Sequence, residues 1–177
     1  MQRTAHEFLA EVIKQDDIVV DATMGNGHDT VFLAGLSNNV FAFDVQDKAI
    51  SATQERLDKS GLKATLIKDG HQNVDKYISA QVIKAAIFNL GYLPNSDKLV
   101  ITKPDTTIMA LEKVTKLLAV GGRIAVTVYP GHEGGKDEGT AVMNFTKNLC
   151  AKKWRVSVQH AEYKTTSSPY LVLIKRL

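Results

Sequence analysis

The chain has 177 residues, of which 44% are hydrophobic, so it is long enough for one well-buried core and short for two ordinary domains. Its 22 Lys and Arg residues against 19 Asp and Glu residues give a formal net charge of +3. This mildly basic balance permits a nucleic-acid partner without predicting one. We therefore expect a single domain over residues 1–177.

The cysteine count and the N-terminal sequence bear on location. The one cysteine, Cys150, excludes an internal disulfide framework and is expected to be a small buried residue. The N-terminal MQRTAHEFLAEVIKQDD lacks the unbroken apolar segment of a signal peptide or membrane span. The sequence thus predicts a cytoplasmic protein without membrane association, and it shows us no metal site.

Short β-branched runs alternate with helical patterns, which is typical of a parallel sheet covered by helices on both faces. The last two predicted strands are joined by a short link, whereas parallel neighbours need a crossover of a dozen or more residues. We therefore expect seven strands, six parallel and one antiparallel near the edge. In chain order the patterns predict a helix over 4–14, a strand over 18–22, a helix over 28–36, a strand over 40–43, a helix over 48–60, a strand over 64–68, a helix over 73–78, a strand over 85–89, a helix over 106–120, a strand over 123–129, a helix over 138–152 and strands over 155–161 and 170–175.

The stretch VVDATMGNGHDTVFLA places Asp21 at the end of the first strand, with Gly25 and Gly27 in the turn to the next helix. Small residues there let a ligand approach the backbone and the free N–H groups of the helix. A dinucleotide-binding fold would need G-x-G-x-x-G, but the third position is Thr30. The D-x-x-x-G-x-G spacing instead resembles the first motif of the S-adenosylmethionine-dependent methyltransferases. The alternative is a tight turn without a ligand.

Two more acids follow the next two strands. Asp44 ends the second strand, where a carboxylate can accept hydrogen bonds from both hydroxyls of a ribose. Asp69 follows the third strand, and the same resemblance implies a contact with adenine. Each acid has helix capping as its alternative role. Three acids at the ends of three successive strands are hard to explain as independent caps.

The fourth strand leads into AAIFNLGYLPNSDK, which is similar to the acceptor motif of amino-group methyltransferases. Those enzymes place Asn or Asp, two prolines and an aromatic residue at this point. The Asn89 side-chain carbonyl and the Leu90 backbone carbonyl can hold the hydrogens of a nucleophilic nitrogen, and Tyr92 can stack on a base. An ordinary strand exit, with Asn89 and Gly91 as turn formers, is the alternative.

A basic alkylamine arrives protonated and must lose a proton before it accepts a methyl group. His132 in YPGHEGG is the first candidate for the proton acceptor, with Glu133 or Glu138 as its partner. His28 and His71 are the other contenders. A solvated loop histidine is the alternative for His132.

Four segments together resemble a family of small bacterial methyltransferases labelled "putative rRNA methylases": ATMGNGHDTVFLA, FNLGYLPNSDK, the T-x-P-x-T of residues 102–106, and VYPGHEGGKDE. The resemblance implies a Rossmann-like class I sheet and a cofactor, S-adenosylmethionine, that leaves as S-adenosylhomocysteine. It also implies methylation of the aminomethyl group of 5-aminomethyl-2-thiouridine at the tRNA wobble position. The implied cofactor contacts are Asp21, Gly25, Asn26, Gly27, Asp44, Asp69 and Asn89, and the implied catalytic residues are Asn89, Tyr92 and His132.

Two rival functions stay open: an rRNA methyltransferase, and a non-catalytic module that binds S-adenosylmethionine. On the first interpretation the tRNA anticodon loop is the partner, and the protein is a monomer or homodimer. The residues Lys147, Lys152, Lys153 and Arg155 are either a phosphate-binding patch or a solvated helix end.

Overall fold

A computed structural model of the chain describes residues 1–79, 82–91, 101–160, 165 and 167–177. Within these ranges the helices and strands alternate along the chain, as the sequence predicts. The strands are β1 (Ile18–Asp21), β2 (Asn39–Asp44), β3 (Thr65–Lys68), β4 (Ile83–Asn89), β5 (Leu118–Val128), β6 (Trp154–His160) and β7 (Tyr170–Arg176). The helices are α1 (Gln2–Ala10), α2 (His28–Ala34), α3 (Asp47–Ser60), α4 (Pro104–Leu117) and α5 (Gly135–Lys147), with a 3₁₀ helix over His71–Lys76.

The seven strands form one sheet in the order β3-β2-β1-β4-β5-β7-β6. The pairs β1 with β2, β1 with β4, β2 with β3 and β4 with β5 are parallel. Strand β7 pairs antiparallel with both β5 and β6, so β6 points the same way as the first five strands. The prediction of six parallel strands and one antiparallel strand near the edge is confirmed.

Helices cover both faces of the sheet because successive strand residues point to opposite sides. On β1, Val19 packs with residues of α1, α2 and α3, whereas Val20 packs with residues of the 3₁₀ helix, α4 and α5. Both side chains are buried. Among the described residues, no helix combines the length and the apolar character needed to cross a membrane.

Some predicted boundaries are wrong. The helix expected to reach residue 120 ends at Leu117, because Leu118 is fully buried and already pairs with Ile83 as the first residue of β5. The segment predicted as a helix over 73–78 is a 3₁₀ helix that starts at His71. Cys150, expected in the core, is exposed in the turn between α5 and β6.

The turn into α2 depends on a glycine. Gly27 has φ +81°, and a Cβ there would stand 2.8 Å from the Thr53 Cα of α3. Gly61 ends α3 with φ +65°, but a Cβ there would meet nothing within 4 Å. An alanine at either position would be strained in this left-handed conformation. At Gly27 it would also force α2 and α3 apart.

We expect Gly61→Ala to lower the free energy of unfolding by about 1 kcal/mol, from strain alone. Gly27→Ala should lower it by roughly 3 kcal/mol or more, since overpacking against the α3 backbone adds to the strain. Urea unfolding of both variants measures the difference. Equal losses would contradict the role given to the α2–α3 contact.

Candidate active site

A cavity of about 1010 Å³ opens at the carboxyl ends of the parallel strands, where ligands bind in open α/β sheets. Its walls come from the segments that follow β1, β2, β3, β4 and β5. Most of the predicted site residues line it: Gly25, Asn26, Asp44, Asp69, Asn89 and His132. Asp21 and Gly27 are not among the lining residues, and Tyr92 lies outside the described part of the chain.

Asp21 acts on the glycine turn from behind. Its side chain is fully buried, and it accepts hydrogen bonds from the Thr23 N–H at 3.1 Å and from the Thr30 hydroxyl at 2.7 Å. Burial, together with the carboxylate of Asp29, raises the pKa of Asp21 to about 7. Asp21 therefore organises the turn through its hydrogen bonds. A direct contact between Asp21 and a cofactor stays a prediction.

Asp44 holds the same turn from the cavity side. One carboxylate oxygen accepts the Gly25 N–H at 3.1 Å, and the other accepts the Gln46 N–H at 3.0 Å. The carboxylate retains further lone pairs toward the cavity that it lines. Partial burial raises its pKa. Next to it, Val45 is 53% exposed, which gives this end of the cavity an apolar surface.

Asp69 has local partners on both oxygens. It accepts hydrogen bonds from the Gly70 N–H and the Asn73 side chain at 2.8 Å, and from the Tyr77 hydroxyl at 3.0 Å. The bond from Asn73 is the main reason that its pKa is lowered. These contacts fit the alternative role of stabilising the 3₁₀ helix. Asp69 also lines the cavity, so its contact with adenine stays a prediction.

Asn89 stands at the end of β4, next to the glycine turn. Its backbone N–H donates to the Thr23 hydroxyl at 2.7 Å. Its side-chain amide donates to a carboxylate oxygen of Asp29 in the first turn of α2. The acceptor strand and the cofactor motif of the sequence are thus directly hydrogen-bonded to each other.

His132 lies close to Gly91, two residues beyond the end of β4. A Cβ on Gly91 would stand 3.3 Å from the His132 Nε2 atom. The Nδ1 atom lies 2.8 Å from the backbone carbonyl oxygen of Glu133, not from its side chain. His132 therefore lines the same cavity as Asn89, while its role as proton acceptor stays a prediction.

Glu138 has a different role from the one considered for it. It is buried and accepts hydrogen bonds from the Thr102 hydroxyl at 2.8 Å and the Thr107 hydroxyl at 2.6 Å. Thr102 in turn accepts the Gly91 N–H at 2.8 Å. Glu138 thus braces the backbone that leaves β4, and these bonds give it no contact with His132.

Sequence reasoning missed several residues of the cavity, among them Asp29 and Tyr129. Asp29 lies within the quoted motif GNGHDT, but only the docking of α2 shows that it faces Asn89. Tyr129 ends the fifth predicted strand and is 42% exposed in the cavity wall. An aromatic residue at the carboxyl end of a central parallel strand was the available signal for Tyr129.

The basic residues considered as a patch lie elsewhere. Strand β6 runs parallel to β1–β5, so Arg155 near its start lies at the edge of the sheet opposite the cavity. Lys147 ends α5, which begins on the cavity side. These positions fit solvated side chains better than a part of the site. The exposed Lys103, by contrast, lines the cavity.

Comparisons with known proteins agree with this geometry. The sequence model of the family described as "Putative rRNA methylase" matches residues 40–175. The chain belongs to this family of S-adenosylmethionine-dependent methyltransferases. S-adenosylmethionine is accordingly its cofactor.

Two solved structures are similar over nearly the whole chain. A "putative methyltransferase" from Streptococcus mutans, in complex with S-adenosylhomocysteine, is 44% identical with a TM-score of 0.92, covering 99% of this chain and 97% of that one. A "putative rRNA-methylase" from Clostridium thermocellum is 45% identical with a TM-score of 0.94 and the same coverage. Both likenesses extend through the closing β6–β7 hairpin.

A plant protein with a specific name is also similar in sequence. It is the chloroplastic tRNA (mnm(5)s(2)U34)-methyltransferase of Arabidopsis thaliana, 35% identical over 164 residues. The match covers 85% of this chain and 60% of the plant protein. The chain therefore spans less than two thirds of that relative.

The arrangement of Asp44 predicts its contribution to cofactor binding. Asp44→Asn should weaken S-adenosylmethionine binding by about tenfold or more, because an amide offers the ribose hydroxyls one acceptor oxygen and no charge. Asp47→Asn is the matched control, since Asp47 is exposed and paired with Lys68. Calorimetric titration measures both affinities. An unchanged affinity in Asp44→Asn would contradict the ribose contact.

The raised pKa of Asp21 predicts a pH dependence of stability. Its folded-state pKa of about 7 lies above the ordinary 3.8, so between these values the folded state binds more protons than the unfolded state. The contribution of Asp21 to stability is present at low pH and is lost as pH rises toward 7. Urea unfolding at about pH 5 and about pH 8 should show a smaller loss for Asp21→Asn than for the wild type. Parallel losses would show that Asp21 is not the titrating group.

Proposed function

We propose that this protein transfers a methyl group from S-adenosylmethionine to the aminomethyl group of 5-aminomethyl-2-thiouridine at the wobble position of tRNA, in the cytoplasm. The observation that carries the proposal is the position of Asn89: an amide suited to hold an amine lines the same cavity as the glycine turn and Asp44. The name of the plant relative contains mnm(5)s(2)U34, the methylated product of this reaction, and this supports the proposed substrate.

The cofactor site follows from the cavity walls. The Asp44 carboxylate would accept the ribose hydroxyls, and the exposed Val45 beside it would offer the adenine an apolar contact. Asp69 receives the adenine amino group. The turn at Gly25 and Asn26 brings bare backbone to the amino-acid part of the cofactor, while Asp21 and Gly27 hold the shape of that turn from behind.

The bound cofactor supplies an electrophilic methyl group on a sulfonium centre. The protein must then deliver a neutral amine with its lone pair in line with the sulfur–methyl bond. We assign the orientation of the amine to the Asn89 side-chain oxygen, which accepts one of its N–H groups. His132, across the cavity at Gly91, accepts the proton that the amine loses.

The RNA is held by the same face. Sequence-specific proteins stack unpaired bases on aromatic rings, and Tyr129 offers a half-exposed ring in the cavity wall. Lys103 at the start of α4 and Lys136 in α5 are exposed and are candidates for phosphate contacts. We therefore expect the base to enter the cavity that Tyr129, Asn89 and His132 line, with the anticodon loop outside.

Nucleoside mass spectrometry tests the proposal. Transfer RNA that carries the unmethylated aminomethyl group is incubated with the protein and S-adenosylmethionine, and ribosomal RNA is the parallel substrate. We expect a cofactor-dependent gain of one methyl group on the wobble nucleoside. Methylation of ribosomal RNA alone would overturn the assignment in favour of the family description, and cofactor binding without methylation of either RNA would favour a binding module.

Asn89→Ala should abolish turnover and leave the affinity for S-adenosylmethionine within about twofold, because Asn89 acts on the amine. Unchanged turnover in Asn89→Ala would contradict the acceptor role.

In the same assay Tyr129→Ala should raise the KM for tRNA by about tenfold, which corresponds to the stacking energy of one base. Tyr129→Phe should retain the wild-type KM.

A further inference from the structure

Asn89 contacts a buried carboxylate, and no step of the proposed reaction uses this group. Asp29, in the first turn of α2, is 5% exposed. One of its oxygens lies 2.5 Å from His6 Nε2 and accepts the Gln2 amide at 3.0 Å. Its other oxygen accepts the side-chain amide of Asn89. Asp29 therefore connects helix α1 to the acceptor strand.

The contacts of α1 fix this carboxylate in place. The His6 ring stacks on Phe32 of α2, with the ring centroids 3.7 Å apart and the planes 2° from parallel. The stacked ring and the Gln2 amide occupy one carboxylate oxygen from the α1 side. The second oxygen is thereby directed at Asn89.

A carboxylate only accepts hydrogen bonds, whereas an amide has a donor end and an acceptor end. Asn89 must therefore present its NH₂ group to Asp29, which leaves its oxygen on the other side of the amide. An amine substrate needs that oxygen, because an NH₂ group in its place would compete for the lone pair that attacks the methyl group. Which end of the Asn89 amide faces the substrate therefore depends on residue 29 being a carboxylate.

We propose that Asp29 is a positioning residue that fixes the Asn89 amide with its oxygen toward the substrate amine, and that His6 and Gln2 hold Asp29 in this role. The inference rests on the proposed N-methyl transfer for its catalytic consequence. The orientation of Asn89 can be measured without any RNA.

The first experiment measures the orientation in the protein with S-adenosylhomocysteine. The Asn89 side-chain NH₂ signals in a ¹⁵N–¹H spectrum are identified by their loss in Asn89→Asp. In Asp29→Asn, His6 and Gln2 keep the new amide oxygen, so its NH₂ group faces residue 89 and the Asn89 amide turns over. We expect the Asn89 NH₂ protons to exchange with water at least about tenfold faster in this variant, because they now face the cavity. Equal exchange rates would overturn the proposal.

The second experiment exchanges the two side chains. Asp29→Asn should lower kcat about tenfold or more with little change in the KM for S-adenosylmethionine, and Asn89→Asp should do the same because two carboxylates then meet. The double variant restores one donor and one acceptor at this contact and places a carboxylate oxygen toward the amine. Its kcat should exceed that of Asn89→Asp by about tenfold. A double variant no more active than Asn89→Asp would overturn the catalytic role.

Asp137→Asn is the matched control for both experiments. Asp137 also lies in the first turn of a helix, α5, but is exposed. The Asp137→Asn variant loses only a negative charge at the N-terminus of a helix, and we expect it to keep the wild-type kcat. If wild-type protein fails to methylate the aminomethyl tRNA, the proposed substrate is wrong, while the exchange rates still decide the orientation of Asn89.

Discussion

The turn between β1 and α2 is the part of the molecule on which the rest of the site depends. Its backbone is held from behind by Asp21, through the Thr23 N–H, and from the cavity side by Asp44, through the Gly25 N–H. The Thr23 hydroxyl accepts the backbone N–H of Asn89. Three neighbouring strands therefore meet in one set of hydrogen bonds, and a shift of the turn moves the cofactor side and the acceptor side together.

This arrangement brings acidic groups close together at a cost in stability. Burial and the charge of Asp29 both disfavour the ionised form of Asp21. Hydrogen bonds from Thr23 and Thr30 offset part of that cost. A site that binds the cationic S-adenosylmethionine gains from such negative charge, because an opposite charge nearby is favourable in a poorly solvated cavity. These buried carboxylates therefore favour the binding of a cationic ligand and lower the stability of the free protein.

Alternation of β-branched runs and helical patterns was enough to predict the sheet, because the central strands β1, β4 and β5 bury both faces and the connections up to β6 are helical. The end of α4 was not predictable, since Leu118 looks like a helical residue until its pairing with Ile83 is known. The positions of Asp44 and Asn89 followed from parallel strands ending at one edge. The contacts of Asp29 and Glu138 did not, because Asn89 lies 60 residues from Asp29, while Thr107 and Thr102 lie 31 and 36 residues from Glu138.

Helix α1 shows how such distant contacts complete a site. It packs beneath the sheet through Ala5 and Leu9, which alone would make it a structural element. Two of its polar residues, Gln2 and His6, nevertheless reach a carboxylate that contacts the acceptor strand. The buried face of α1 sets the position of these polar side chains, so packing of the helix against the sheet also determines its hydrogen bonds. The N-terminal helix is in this sense a part of the active site, although its sequence contains no motif that identifies it as one.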